Sequence, residues 1–123
     1  MKKLIDFDYF LEKLMCKINT TLNTYYEIAP DNAEYPYAVV PDLTFSDLEY
    51  GYQCLFDIDI YINEQTSESS VEVYCDNLRK GLDGYNYHDN QIGFHIGFDS
   101  QNLGKMTEQD SSMRRISFIA RIF

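Results

Sequence analysis

The sequence predicts an α+β protein, with a single mixed or antiparallel sheet of about four strands and two helices packed on one of its faces. In two segments, apolar residues recur every three or four positions, which is typical of amphipathic helices. In other segments they alternate with polar residues, as in half-buried strands. The length of 123 residues fits a single domain, residues 1–123. The element order helix, strand, strand, helix, strand, strand favours helices and sheet in separate layers.

The first helix is predicted close to the start of the chain. Its apolar face consists of Phe7, Phe10, Leu11, Leu14, Met15, Ile18 and Leu22. The polar residues 23–36 are interpreted as a connection. Tyr35–Pro41 is a short β-branched run between two prolines, which predicts a confined strand. Residues 42–52 are expected to link it to the next strand through a turn at Gly51.

The clearest strand is predicted from Gln53 to Ile62, where apolar Phe56, Ile58 and Ile60 alternate with polar or charged residues. A second helix follows. Its start is indicated by Ser69 and Glu72, which have the spacing of a capping box. Its core face consists of Val71, Cys75, Leu78 and Leu82. Gly84 stands where a left-handed residue commonly ends a helix.

The end of the sequence predicts two further strands. Tyr85–Phe98 is interpreted as one strand, and Asp99–Ser112 as a long polar loop of the kind that is often functional or disordered. The last strand begins at Met113, and Ile116, Phe118, Ala120 and Ile122 line one of its sides.

Charge and cysteine content limit the functional classes. The chain has 20 acidic and 10 basic residues and a net charge of −10, which disfavours tight binding to nucleic acid phosphates. No segment approaches the roughly 20 apolar residues that cross a bilayer, so no membrane partner is expected. Three widely spaced cysteines, Cys16, Cys54 and Cys75, without a C-x-x-C pair indicate a reduced, cytosolic origin.

Two groups of residues invite a metal hypothesis. Asp57 and Asp59 form a D-x-D pair that could share a divalent cation, but alternation predicts that both lie on the wet face of their strand, in solvent or at an interface. His88, Asp89 and His95 form the second group. The two histidines are seven positions apart, so in a regular strand they face opposite sides.

We therefore predict no enzyme, no metal and no cofactor. Cys75 is interpreted as a core residue rather than a nucleophile, because it shares the apolar face of its helix. Arg114, Arg115 and Arg121 are expected to pair with carboxylates, within the fold or across a subunit contact. A small cytosolic metal- or ligand-binding domain, with Asp57, Asp59 and His95 around a pocket, remains the alternative from another functional class.

Three stretches resemble one protein family: "YPYAVVPDL", "LFDIDIYINEQTSESSVEVYCDNLRKGLDG" and "DSSMRRISFIARIF". Together with the element order, they are similar to the tail-terminator proteins of long-tailed bacteriophages, also called tail-completion or head–tail joining proteins. The resemblance implies a non-enzymatic ring, usually of six subunits, that caps the tail tube and meets the head. Another head–tail connector or minor tail component of comparable size is the alternative among structural proteins.

The resemblance also implies partners and a location. The partners would be further copies of the chain, the tail-tube protein and a head-completion or connector protein, with DNA passing through unbound. The location would be the tail-neck of the virion, after assembly in the cytoplasm of the bacterial host. Candidate residues for the subunit interface or the lumen are Asp57, Asp59, Tyr61, Arg114, Arg115 and Arg121.

Overall fold

The computed structural model describes residues 4–63, 69–102 and 113–123, which form two helices and seven strands. The helices are α1 (Phe7–Asn19) and α2 (Val71–Leu82). The strands, in chain order, are β1 (Thr24–Tyr26), β2 (Tyr37–Val40), β3 (Leu43–Leu48), β4 (Gly51–Tyr61), β5 (Asn86–His88), β6 (Gly93–Asn102) and β7 (Met113–Ile122).

The strands form one curled, half-barrel-like mixed sheet in the order β1-β2-β4-β7-β6-β5, with β3 paired to β4 beside β2. Strands β1 and β2 are parallel, and all other pairs are antiparallel. The overall α+β class is as expected, but the predicted sheet of about four strands is wrong. Three strands were missed, and the final strand β7 lies in the centre of the sheet.

The missed strands have physical explanations. Strand β1 has only three residues, and in the edge strand β3 the alternation is confined to Leu43, Thr44, Phe45 and Ser46, which is too short to predict a strand. The predicted single strand Tyr85–Phe98 is divided into β5 and β6 by a turn at Asp89. The Asp89 carboxylate closes this turn by accepting hydrogen bonds from the backbone N–H groups of Gln91 and Ile92, at 2.7 and 2.8 Å.

Both helices are where periodicity predicts them, but their starts differ. Asp6 caps α1, since its carboxylate accepts hydrogen bonds from the N–H groups of Asp8 and Tyr9. The predicted capping box of α2 is wrong: Ser70 is the residue before the helix, and its side chain makes no capping hydrogen bond. Gly84 adopts the expected left-handed conformation (φ 84°), and its N–H donates to the carbonyl of Ile96 in β6.

Residues at even positions of the central strands point to the face that the helices cover. Phe56 and Ile58 of β4, for example, lie beside Phe118 and Ile116 of β7. Together with one face of each helix they form one buried cluster. Its helical members are Phe10, Leu14 and Ile18 of α1 and Val71, Cys75, Leu78 and Leu82 of α2. Neither of the two described helices covers the opposite face of the sheet.

Gly51 marks the turn that the sequence predicts, and it opens strand β4. Two observations show that this position requires glycine. Its φ of 155° is rare for other residues, and a Cβ there would overlap the carbonyl oxygen of Ile122 in the neighbouring strand β7. Of the predicted polar loop Asp99–Ser112, residues 99–102 belong to β6, and 103–112 lie outside the described residues.

Candidate interaction surface

The sheet face opposite the helices, here called the open face, carries most of the residues that the sequence singles out. It is formed by odd positions of the central strands, because side chains alternate between the two faces. Asp57, Asp59 and Tyr61 of β4 lie on it, opposite Ser117, Arg115 and Met113 of β7. Arg121 lies on the same face, near the other end of β7.

Asp59 and Arg115 form a bidentate ion pair in the middle of the open face. Arg115 Nε donates to Asp59 Oδ1 at 2.6 Å and Nη2 donates to Oδ2 at 2.8 Å, the fork geometry that arginine forms with a carboxylate. Asp57 lies 3.6 Å from the same guanidinium and accepts a hydrogen bond from Ser117 Oγ at 2.5 Å. The hydrogen bond to Asp59 raises the pKa of Arg115 further above its usual range.

This network changes the interpretation of the D-x-D pair. Asp59 was expected on the wet side of its strand, but only 5% of the residue is exposed, so that expectation is wrong for Asp59. A carboxylate in this environment needs a partner, because burying an unpaired charge is costly. Arg115 supplies that partner from within the fold. Asp57 is partly exposed.

Four tyrosines cover the end of the open face next to β1. Tyr37 stacks on Tyr61 with 5.2 Å between the ring centroids, and the rings of Tyr35 and Tyr25 lie 5.2 and 6.0 Å from that of Tyr37. Burial raises the pKa of Tyr37, so its hydroxyl stays protonated at neutral pH. Tyr35 is about half exposed. Aromatic residues of this kind, apolar along the ring and polar at the tip, are enriched at protein interfaces.

Arg114 lies on the other face of β7 from Arg115. Its Nη2 is 2.6 Å from Glu72 Oε1 at the start of α2, and its Nη1 donates to the carbonyl of Met113. Its Nε is buried without a hydrogen-bond partner. The sequence therefore correctly predicts that Arg114 and Arg115 pair with carboxylates, and both partners shown here lie within the fold.

Two shallow depressions lie on the open face. One, of about 150 Å³, is lined by His95, Gly97, Phe98, Ile119 and Arg121, and includes the exposed guanidinium of Arg121. The other, of about 260 Å³, has the carboxylates of Asp42, Asp57 and Asp99 along its walls. Within residues 4–63, 69–102 and 113–123, no group of three or more His, Cys, Asp or Glu side chains is close enough to hold a metal ion.

The second metal hypothesis concerned His88, Asp89 and His95. In the structure, the Asp89 carboxylate has a structural role instead. Tyr9 and Tyr87 each donate a hydroxyl hydrogen bond to Asp89 Oδ2, at 2.5 and 2.7 Å. These bonds, with Tyr9 contributing most, hold the pKa of Asp89 well below its usual range. His95 is hydrogen-bonded through Nδ1 to Asn86 Oδ1 at 2.8 Å. Asp89 therefore ties α1 to the β5–β6 turn, a role that its position in a turn-like sequence did not reveal.

The cysteines are free thiols. The prediction that Cys75 is a core residue is confirmed, since it is fully buried and burial raises the pKa of its thiol to about 11. Cys54 is also buried, while Cys16 is exposed on α1. In the part of the chain that the structure describes, no helix is long and apolar enough to cross a membrane.

Comparison with known proteins gives a likeness of fold. No protein-family model matches the chain, and no curated protein sequence matches it. A chain in the structure titled "Virion of native gene transfer agent (GTA) particle" is similar in fold, with a TM-score of 0.54 and 16% sequence identity. The match covers 89% of this chain and 83% of that chain. It extends over nearly the whole α+β architecture described above.

Proposed function

We propose that this chain is a structural component of a phage or phage-like virion, and that it assembles into a ring where the tail tube joins the head. The observation that carries the proposal is the fold shared with a chain of a gene transfer agent virion. The likeness covers 89% of the chain, so it extends well beyond a single supersecondary unit that two unrelated proteins could share. The resemblance in sequence to tail-terminator proteins points to the same class.

The role is one of binding without chemistry. The ring would contain several copies of the chain, six in the family that it resembles, and would contact the tail-tube protein on one side and a head-completion or connector protein on the other. It would be made in the bacterial cytoplasm and found at the tail-neck of the virion. DNA would pass through it unbound, and the net charge of −10 suits this role because phosphates are repelled by an acidic surface.

The open face is the part of the sheet suited to contacts in the assembly or to the ring lumen. Neither described helix covers it, it carries the tyrosine group, and its charged residues Asp57, Arg115 and Arg121 remain partly exposed. Tyrosine and arginine are the residue types that most often dominate binding energy at interfaces. Asp59 and Arg114 contribute to these contacts indirectly, because their nearest charged partners lie within the chain.

Deletion of the coding sequence from a particle-producing strain tests the proposal. We expect separate heads and tails in electron micrographs, with joined particles restored when the chain is supplied from a plasmid. Mass spectrometry of purified particles should detect the chain at a few copies per virion. Normal joined particles from the deletion strain would contradict the proposal. Tails that attach normally to heads but have an altered protein composition would favour a minor tail component.

A further inference from the structure

The connection after β1 displays an isoleucine to solvent. Ile28 is 80% exposed, although most other isoleucines of the described chain are buried. Its N–H donates to the carbonyl of Tyr26 at 2.8 Å and closes a three-residue turn around Glu27. Glu27 has a φ of 68°, and a three-residue turn with a positive φ at its centre is the rare and strained form. Backbone strain of this kind is concentrated at functional sites.

The strained turn places a carboxylate beside the exposed isoleucine. Glu27 is itself exposed, and so are Asp31 and Glu34 further along the same connection. Residues 27–36 contain no lysine or arginine. We call Glu27 and Ile28 the knob, which consists of an apolar side chain next to a negative charge.

A depression on the open face has the complementary character. It is the depression of about 150 Å³ lined by His95, Gly97, Phe98, Ile119 and Arg121, and we call it the hole. Gly97 lies opposite Ile119 in register, and a Cβ at Gly97 would meet no atom within 4 Å. Residues opposite each other in register have neighbouring side chains. The missing side chain at Gly97 therefore leaves space beside the apolar side chain of Ile119.

A cation lies at the side of the hole. Arg121 is exposed and forms no ion pair with any described residue. Asp57 and Asp99, two carboxylates of the open face, line the other depression. The second titratable group of the hole is His95, whose Nδ1 lies 2.8 Å from Asn86 Oδ1. The hole therefore offers an apolar wall beside a guanidinium that an external carboxylate can reach.

The knob and the hole belong to different parts of the sheet. The knob follows β1, whereas the hole is formed by β6 and β7. Strands β2 and β4 stand between β1 and β7 in the sheet. The residues that line the hole do not include those of the knob, so the knob of a second copy has room to occupy it.

We propose that Ile28 of one copy inserts into the hole of the next copy, and that its Glu27 pairs with Arg121 there. An exposed apolar side chain that fits a depression elsewhere on the same molecule gives a heterologous contact. Such a contact repeats from copy to copy and closes into a ring when the rotation permits. The opposite charges fix the orientation of the contact. The inference rests on the proposed ring and names the contact that joins its subunits.

Removing the knob and filling the hole test the contact from both sides. Ile28→Ser changes a side chain that is 80% exposed, and Gly97→Val adds a side chain where a Cβ meets no atom, so both variants should fold. Analytical ultracentrifugation at up to about 1 mM chain, where even weak contacts are populated, should show oligomers of the original chain. Each variant should lose at least about tenfold in association constant, because the isoleucine is no longer buried.

Exchange of the two charges tests the pairing of Glu27 with Arg121. Glu27→Arg and Arg121→Glu should each weaken association about tenfold, because like charges then meet. One chain carrying both changes should recover most of the association, because the opposite charges have only exchanged places. Val73→Ser, at a 44% exposed position of α2, is the control for loss of an exposed apolar side chain and should associate like the original chain. Circular dichroism checks that every variant is folded.

The remaining outcomes separate this contact from the proposed function. Undiminished association of Ile28→Ser and Gly97→Val, or no recovery in the chain with exchanged charges, would overturn the contact and leave a ring through other surfaces. An original chain that stays monomeric up to about 1 mM would also overturn it, because both the knob and the hole are formed in the single chain. Detection of the chain in purified virions tests the structural role independently of all these results.

Discussion

Two adjacent arginines of β7 have opposite surroundings. Arg115, on the open face, binds Asp59 through two hydrogen bonds, and the carboxylate is the buried partner: the Asp59 side chain is 7% exposed and that of Arg115 is 41% exposed. Arg114, on the helix side, is the buried partner of its pair. Its side chain is 16% exposed, whereas that of Glu72 is 50% exposed.

The difference shows that the cost of breaking an ion pair depends on which partner is left behind. Removing Arg115 would leave a carboxylate shielded from water, and an uncompensated buried charge is strongly destabilising. Removing Glu72 would also leave the buried partner behind, but the Arg114 side chain is 16% exposed and keeps its bond to the Met113 carbonyl. Breaking this pair should therefore cost less than leaving Asp59 without its partner, but more than breaking a pair whose two members are both exposed.

The largest effect is therefore expected from Arg115→Ala. We expect the free energy of unfolding to fall by about 3 kcal/mol, near the lower end of the range for broken buried pairs, because Asp59 keeps slight contact with solvent. Arg115→Lys keeps the charge but not the fork of hydrogen bonds, and should cost about 1–2 kcal/mol. Urea unfolding followed by circular dichroism measures both.

Arg121→Ala is the matched control, since Arg121 is on the same strand and face and has no ion pair with any described residue. A surface change of this kind should cost less than about 0.5 kcal/mol. Equal losses for Arg115→Ala and Arg121→Ala would show that the Asp59 pair does not stabilise the fold.

A smaller effect is expected from Glu72→Gln. The expected loss is about 1 kcal/mol, because Arg114 keeps its bond to the Met113 carbonyl and the new amide oxygen can still accept a hydrogen bond from the guanidinium. A double-mutant cycle with Arg114→Met isolates the pair from other effects of each change. A coupling energy as large as that between Asp59 and Arg115 would show that the two pairs contribute equally to stability.

The subtlest change concerns Asp89, whose partners are neutral hydroxyls rather than a guanidinium. Since its pKa is lowered in the folded state, the carboxylate stabilises the fold above the unfolded pKa of about 4, and this contribution is lost as the pH falls through the folded pKa. Asp89→Asn should therefore be less stable than the original chain at pH 7, and the difference should shrink in acid. Urea midpoints measured from pH 7 down to about pH 2.5 reveal it. A difference that stayed constant with pH would contradict the assignment.

The sequence predicts elements whose side chains alternate or recur regularly. Both helices and the strands β4 and β7 follow from that periodicity, and β2 follows from its β-branched residues between two prolines. Strands β1 and β3 do not, because β1 has only three residues and the alternation in β3 ends after four. The division between β5 and β6 depends on a turn that the Asp89 side chain closes, and the surrounding alternation concealed it.

The sequence predicts the charged network of the open face only in part. Alternation correctly separates Asp57 and Asp59 from the apolar side of β4. It cannot show that Asp59 faces Arg115, because that pairing depends on the register between two strands 56 positions apart in sequence. Burial of Asp59 follows from this long-range contact, and so does its need for a cation.

The central position of β7 has a consequence for how the chain folds during synthesis. Strand β7 pairs with β4 on one side and with β6 on the other. The edges of β4 and β6 that face β7 therefore cannot form their hydrogen bonds until β7 has been made. Contacts between residues so distant in sequence slow folding, because a large loop must close before they form. The strands made earlier therefore remain incompletely paired until the ribosome has made residues 113–122, and during that interval their exposed apolar sides are most vulnerable to aggregation.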